Sequence, residues 1–322
     1  MKTLIVGTGV IGTIYGWALS NASLDVTHFV RPGKMNQFVD GVKLDVLDER
    51  KGFKPNQLMQ YRLHCVETVH PEDGYELVIL PVNIFQLEDV LKALVPCVGD
   101  KALFLTMTAN WDGTALLDQY LPRSRYLIGY ADGGGTIRAG VYWTNLGSEV
   151  HLGTLEGQNS VQLNQVKELF EKAGMKPDIQ SNMLHWLWVH NASAVGFAAG
   201  FAKHRDFQAY LKDGDLLKTC LHATRELLAL CEKRGVKLAD YPEISYMGWP
   251  DFLVLGIMRW MFATNKSMQR YTAHAASAGS LRETKYNFDA MLKTAKELKL
   301  PTPALNELSI HLENIEDSES AE

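Results

Sequence analysis

The 322-residue sequence predicts an α/β domain followed by an all-α domain. Three observations lead there. Short, fully apolar runs alternate with helically spaced segments through the first half; a glycine-rich turn lies directly behind the first run; and from about residue 181 onward nearly every segment repeats apolar residues at intervals of three and four. At roughly 150 residues per domain, this length predicts two domains, residues 1–180 and 181–322.

The strand candidates in order are TLIVG (3–7), DVTHFV (25–30), LVILPV (77–82), ALFLTM (102–107) and YLIGY (126–130). IGTIYGWALSNA and IFQLEDVLKALV between them have helical spacing, and KLDVLD and YRLHCVET add β-rich segments. Apolar strands alternating with helices imply a parallel sheet covered on both faces. GVYWTNLGSEVHLGTLEG (140–157), split by Asn145, Gly147 and Gly157, predicts hairpin strands appended to that sheet. A polar helix over about 159–173 follows and stops at Gly174. Helices are then expected over 183–200, 205–234, 250–277, 280–299 and 303–314, with an acidic, fraying tail.

Composition excludes several function classes. The 32 basic and 37 acidic residues are well mixed, so no basic face is available for nucleic acid, and an anionic small-molecule substrate must be held by a few local donors. Four scattered cysteines without a CxxC pair argue against zinc or a disulfide framework and for a reducing, cytoplasmic setting. The N-terminus runs straight into the glycine turn and does not read as a signal peptide. FLVLGIMRWMFA (252–263) is too short to span a bilayer and is interrupted by Arg259; it reads as a buried or amphipathic helix, and no membrane partner is expected.

The stretch GTGVIG, covering Gly7, Thr8, Gly9, Val10, Ile11 and Gly12, has the GxGxxG pattern. Alone it is weak; behind an N-terminal strand and opening a helix, it marks a Rossmann-type dinucleotide site. Gly7 permits the tight turn, Gly9 the approach of a pyrophosphate, and Gly12 close packing of helix on sheet. At the end of the second strand, where an acid would hold the ribose of NAD, stands Arg31. A guanidinium there pairs with a 2′-phosphate, so the expected cofactor is NADP(H).

These features, together with four further stretches, resemble the ketopantoate reductase family. TANWDG (108–113) looks like its Asn-Gly loop, IRAGVYWTNLGSEVHLG like its hairpin segment, MLHWLWVHNAS like its first interdomain helix, and RETKYNFDAMLKTAKELKLPTPALNEL like its closing helix with the Pro-Thr-Pro turn. The resemblance implies a second domain similar to the C-terminal domain of 6-phosphogluconate dehydrogenase, a homodimer among the possible assemblies, and NADPH-dependent reduction of a 2-keto acid between the domains. It also implies that Asn110 lies near nicotinamide and substrate, that Glu283 holds a substrate hydroxyl, that Ser267 contacts substrate, and that Asn83 stands where a cofactor-side lysine is common. The family's proton-donating lysine and the asparagine four residues later fall on His190 and Ala194, or, in a second register, on Trp188 and Ala192. Neither register retains lysine. His190 thus reads as either a substitute general acid or a satisfied core histidine on a helix buried all round. His185 and His190, five apart, do not form a metal pair, and Lys203, Lys266 and Lys285 read as surface residues. Two rival functions follow from the missing lysine: an NADP(H)-binding sensor without catalysis, and a dehydrogenase of the wider group acting on another metabolite.

Overall fold

The computed structural model describes residues 1–50, 52, 56–155 and 160–315. Gly157, the start of the helix expected at 159 and the tail 316–322 lie outside them. The chain divides into two compact units. The first comprises Met1–Ala109, Gly113–Leu184 and Arg270–Thr272; the second comprises Asn110–Asp112, His185–Gln269 and the chain from Ala273 on.

The first unit carries strands β1 (Thr3–Val6), β2 (Val26–Phe29), β3 (Val42–Asp48), β4 (Gln57–Tyr61), β5 (Cys65–Val66), β6 (Leu77–Leu80), β7 (Leu103–Thr106), β8 (Tyr126–Arg138), β9 (Val141–Gly153) and β10 (Lys176–Gln180). Its helices are α1 (Val10–Asn21), α2 (Ile84–Leu94), α3 (Ala115–Tyr120) and α4 (Val161–Lys172). The strands form one sheet in the order β4-β3-β9-β8-β7-β6-β1-β2-β5, with β10 beside β9. Pairing is parallel from β8 through β7, β6, β1 and β2 to β5. Every residue of β1, β6 and β7 is buried, as strands covered on both faces require.

One expectation is corrected. Residues 141–153 are a single thirteen-residue strand, paired antiparallel with β8 and parallel with β3, inside the sheet rather than appended to it. Asn145 and Gly147 do not split it, because Gly147 leaves the space that the Asp132 carboxylate fills: an added Cβ would overlap Asp132 Oδ2. Turn-forming residues were here serving packing across the sheet.

After residue 183 the described chain is helical: α5 (Met183–His204), α6 (Phe207–Lys212), α7 (Gly214–Lys233), α8 (Asp251–Thr264), α9 (Lys266–Tyr271), α10 (Ala278–Glu297) and α11 (Pro303–Ser309), with short 3-10 turns. Two long predicted helices are each broken by a capping side chain. Asp213 Oδ1 accepts from the Leu216 amide and starts α7, and Asn265 Oδ1 accepts from the Ser267 and Met268 amides and starts α9. Pro303 begins α11, and the Glu226 carboxylate takes the Ala304 and Leu305 amides, both at 2.9 Å. The two partners satisfy donors a helix start leaves open. α5 lies close against α7: a Cβ at Gly200 would overlap Cys220 Sγ, and one at Gly196 would crowd Thr224 Oγ1 at 2.9 Å. Leu217, Leu221, Leu227, Phe288, Met291 and Leu305 are fully buried in this unit. Truncating one of them to alanine would cost about 2–5 kcal/mol.

Candidate dinucleotide and substrate residues

The loop from Gly7 to Gly12 opens α1, and its hydrogen bonds run through its carbonyls. Gly7 O accepts from His28 Nδ1 (3.1 Å), Thr8 O from Tyr142 OH (2.8 Å), and Gly9 O from the Thr13 amide (2.9 Å). The amides of Thr8 through Gly12 meet no acceptor among the described residues, as expected at a helix start. With the carbonyls drawn into the protein, this end of α1 offers donors and a partial positive charge to an anion.

The three glycines differ physically. Gly7 has φ +86°, a conformation side chains disfavour. Gly12 is packed, an added Cβ meeting Gly7 O at 3.2 Å and Pro81 Cγ at 3.3 Å. Gly9 has ordinary dihedrals and open space where a Cβ would stand. Nothing in the protein's own packing calls for glycine at Gly9, whereas the approach of a pyrophosphate does.

The strand order brings further expected residues to this edge. β6, β1 and β2 are adjacent and parallel, with Val6 beside Phe29 and Ile5 beside Ile79. Arg31, two residues beyond β2, and Asn83, the N-cap of α2 beyond β6, therefore flank the loop at the carboxyl ends of the strands, around the point where strand order reverses. Arg31 is exposed and forms no ion pair among the described residues.

Two supports of the loop were not legible in the sequence as such. His28, fully buried on β2, bonds Gly7 O through Nδ1 and Tyr61 OH through Nε2 (3.2 Å), and desolvation lowers its pKa to about 4. A histidine inside an apolar strand was the available signal. Tyr142 lies 134 residues from Thr8 in the chain, and no local pattern reveals that bond.

In the helical unit, Asn110 is buried and its Oδ1 accepts from the Asp112 amide at 2.9 Å, folding Asn110–Asp112 into a tight turn. Trp111 anchors that turn. Its Nε1 donates to Thr294 Oγ1 (2.9 Å), its ring meets Trp188, and Arg234 both donates to its carbonyl (3.0 Å) and stacks between the two indoles, 4.4 Å from Trp111 and 3.5 Å from Trp188. Tyr286 OH donates to Asp112 Oδ2 at 3.3 Å. The turn is thereby tied to α10 at two places. Glu283 lies on the same stripe of α10, since Glu283, Asn287 and Thr294 are four and seven residues apart. Asn287 is buried, donates to the Glu283 carbonyl (3.1 Å), and leaves its Oδ1 without a partner among the described residues.

α5 is not buried all round, contrary to the sequence expectation. Its open stripe carries His190, Ser193, Ala194 and Phe197, with Ala194 exposed, while Trp188 and Ala192 are buried. Of the two registers expected from sequence, His190 and Ala194 thus lie on the accessible stripe, and Trp188 and Ala192 do not. His190 stacks on Trp186 with centroids 5.0 Å apart and planes 9° from parallel. Among the three lysines, Lys203 is paired with Asp213 and Lys285 with Asp289, and Lys266 is exposed.

Ser267 lies in the first turn of α9, half-buried, its amide capped by Asn265. One turn later, Arg270 enters the first unit, where its buried guanidinium bonds the Asp45 carbonyl and carboxylate and the Thr144 carbonyl over the Trp143 ring. Tyr271 OH donates to Asp132 Oδ1 and accepts from the Gly133 amide, each at 2.6 Å. No group of three metal-ligating side chains exists among the described residues, and no described helix is long and apolar enough to cross a membrane.

Residues 3–157 match the family model for ketopantoate reductase PanE/ApbA. The chain is 22% identical to 2-dehydropantoate 2-reductase of Pyrococcus horikoshii over 248 residues, covering 75% of this chain and 77% of the relative. It shares its fold with D-mandelate dehydrogenase, solved with NADH and anilino(oxo)acetate, at TM-score 0.77 and 17% identity over 98% and 99% of the two chains. The 2-dehydropantoate 2-reductase of Geobacter metallireducens gives TM-score 0.76 and 16% identity over 98% and 100%.

Proposed function

We propose that the chain, whose residues 3–157 match the ketopantoate reductase PanE/ApbA model, is a member of that family and reduces a 2-keto acid to the 2-hydroxy acid with NADPH. The observation that carries this reading is the loop Gly7–Gly12, with the Gly7, Thr8 and Gly9 carbonyls each taking a protein donor and open space at Gly9. Residues 1–180 bind the cofactor and residues 181–322 the substrate. When bound, NADPH supplies the hydride that reaches the ketone carbon.

The chain's own residues do the rest. The amides of Thr8 to Gly12 hold the pyrophosphate, Arg31 the 2′-phosphate and Asn83 a neighbouring polar edge of the cofactor. Asn110 orients the substrate beside the nicotinamide, Glu283 accepts a hydrogen bond from a substrate hydroxyl, and Ser267 contacts substrate. As negative charge grows on the ketone oxygen, His190 gives it a proton, completing the balance of ketone, hydride and proton to alcohol. The altered pair His190 and Ala194 points to a 2-keto acid other than ketopantoate.

A panel of 2-keto acids assayed for NADPH oxidation tests this. Turnover with at least one, and its loss in Asn110→Ala and Glu283→Ala, is expected. If NADPH binds and no keto acid is turned over, the reading as an enzyme falls and a non-catalytic NADP(H)-binding protein takes its place.

A further inference from the structure

Asn110, His190 and Glu283, the three residues of the helical unit given a direct part in the reaction, stand on separate pieces of chain: the Asn110–Asp112 turn, α5 and α10. Their relative placement depends on what joins those pieces. Arg234, the C-cap of α7, lies over the Trp111 ring at 4.4 Å and the Trp188 ring at 3.5 Å, and its Nη1 donates to the Trp111 carbonyl at 3.0 Å. Trp111 Nε1 in turn donates to Thr294 Oγ1 of α10. The turn and three helices meet at this stack.

Two features show that the stack depends on the guanidinium. Trp188 Nε1 is buried and meets no acceptor among the described residues, so no hydrogen bond of its own orients that ring. Stacking on Arg234, and on His185 with ring centroids 5.4 Å apart, does so instead. Packing alone would also not select arginine here. Burial pulls the guanidinium below its ordinary pKa, and among the described residues no carboxylate lies within ion-pair distance of it; Asp112 acts on it only at longer range, its own carboxylate taking the Tyr286 hydroxyl. An apolar side chain of like volume avoids the cost of a half-buried cation without a paired acid. It lacks the fork that bonds a carbonyl while the guanidinium covers indole rings.

We infer that Arg234 is a positioning residue, which grips Trp111 by its carbonyl and its ring against Trp188 and so fixes the direction in which Asn110 is presented to the substrate. This rests on the reading of Asn110 as the residue that orients a 2-keto acid. The Asn110 carboxamide is bonded within its own turn, Oδ1 to the Asp112 amide at 2.9 Å, so the angle of the turn is the angle of the carboxamide. Arg234 acts from behind: Trp188 lies two residues from His190, about 200° around α5 and on its buried side, whereas His190 is on the open stripe.

Arg234→Met in the full chain tests this by two readouts. Exchange of the Asp112 amide with solvent, followed by NMR, should quicken at least about 10-fold, while the Met291 amide in α10 stays as slow as in wild type. With a 2-keto acid that the wild type turns over, kcat/KM should fall about 10- to 100-fold, the scale of a group misplaced by about 1 Å, and the Kd for NADPH should stay unchanged. Arg234→Lys keeps the charge without the planar fork and should resemble Arg234→Met; it carries the test if the methionine variant does not fold. Wild-type exchange at Asp112, wild-type kcat/KM in the folded variants, or a lowered melting temperature with neither of these changed would overturn the inference. If the wild type turns over no 2-keto acid, the reductase reading falls, and exchange at Asp112 alone decides whether Arg234 holds the turn.

Discussion

At the scale of single residues, three side chains test the physics directly. His28 is held neutral by burial, with its pKa lowered to about 4 from 6.5. Between those values the unfolded chain takes up a proton that the native chain does not, so stability is complete above about pH 6.5 and falls as pH drops toward 4, by roughly 3 kcal/mol in all. Urea melts at pH 7 and pH 4.5 should show a smaller pH-dependent loss in His28→Gln than in wild type; equal losses would contradict the assignment. Arg270 has a buried guanidinium bonded to Asp45 and Thr144. Arg270→Ala strands those partners and should cost about 3–5 kcal/mol in a denaturant melt, whereas Arg270→Met, which refills the space with apolar atoms, should cost less. At the cofactor edge, Arg31→Ala should weaken NADPH binding about 10- to 100-fold and leave NADH binding unchanged, because only the 2′-phosphate meets the lost guanidinium. Titration by protein fluorescence distinguishes the two.

At the scale of elements, α5 carries the question of the acid. Its stripe of His190, Ser193, Ala194 and Phe197 is open while Trp188 and Ala192 are buried. His190→Gln should lower kcat about 10²- to 10⁴-fold with little change in KM, and His190→Lys should recover part of that loss. A fall in KM-linked binding alone would assign His190 to packing against Trp186. The sequence made much of this level readable. β1, β2, β6 and β7 are local apolar runs between helical segments, and their spacing alone located them. What it hid was decided by distant neighbours. β9 runs through Asn145 and Gly147 because Asp132 on β8 needs the space at Gly147. α8 and α9 separate because the side chain of Asn265 caps the helix after it rather than continuing the one before. Hydrophobic spacing carried across that break, so it gave one helix where there are two.

At the scale of the whole molecule, the two units each borrow a short piece of chain from far away. Asn110–Asp112 belongs with the helices through Trp111, Arg234 and Thr294, and Arg270–Thr272 belongs with the sheet through Asp45, Thr144 and Asp132. No local pattern announces such exchanges, since a tryptophan after an asparagine looks the same whichever unit buries it. Of the candidate site, the glycine loop, Arg31 and the carboxyl-end placement of Asn83 were legible because they follow strand ends. The supports from His28 and Tyr142, and the Trp111–Arg234–Trp188 stack, were not, because each joins residues more than twenty positions apart.

Label transfer follows the hydride proposed to reach the ketone carbon of a 2-keto acid. Enzyme, 2-keto acid and NADPH deuterated at both C4 positions should give a 2-hydroxy acid one mass unit heavier, with the deuterium at C2. If the deuterated NADPH binds to the wild-type chain and no 2-keto acid yields labelled 2-hydroxy acid, the chain is not a 2-keto acid reductase.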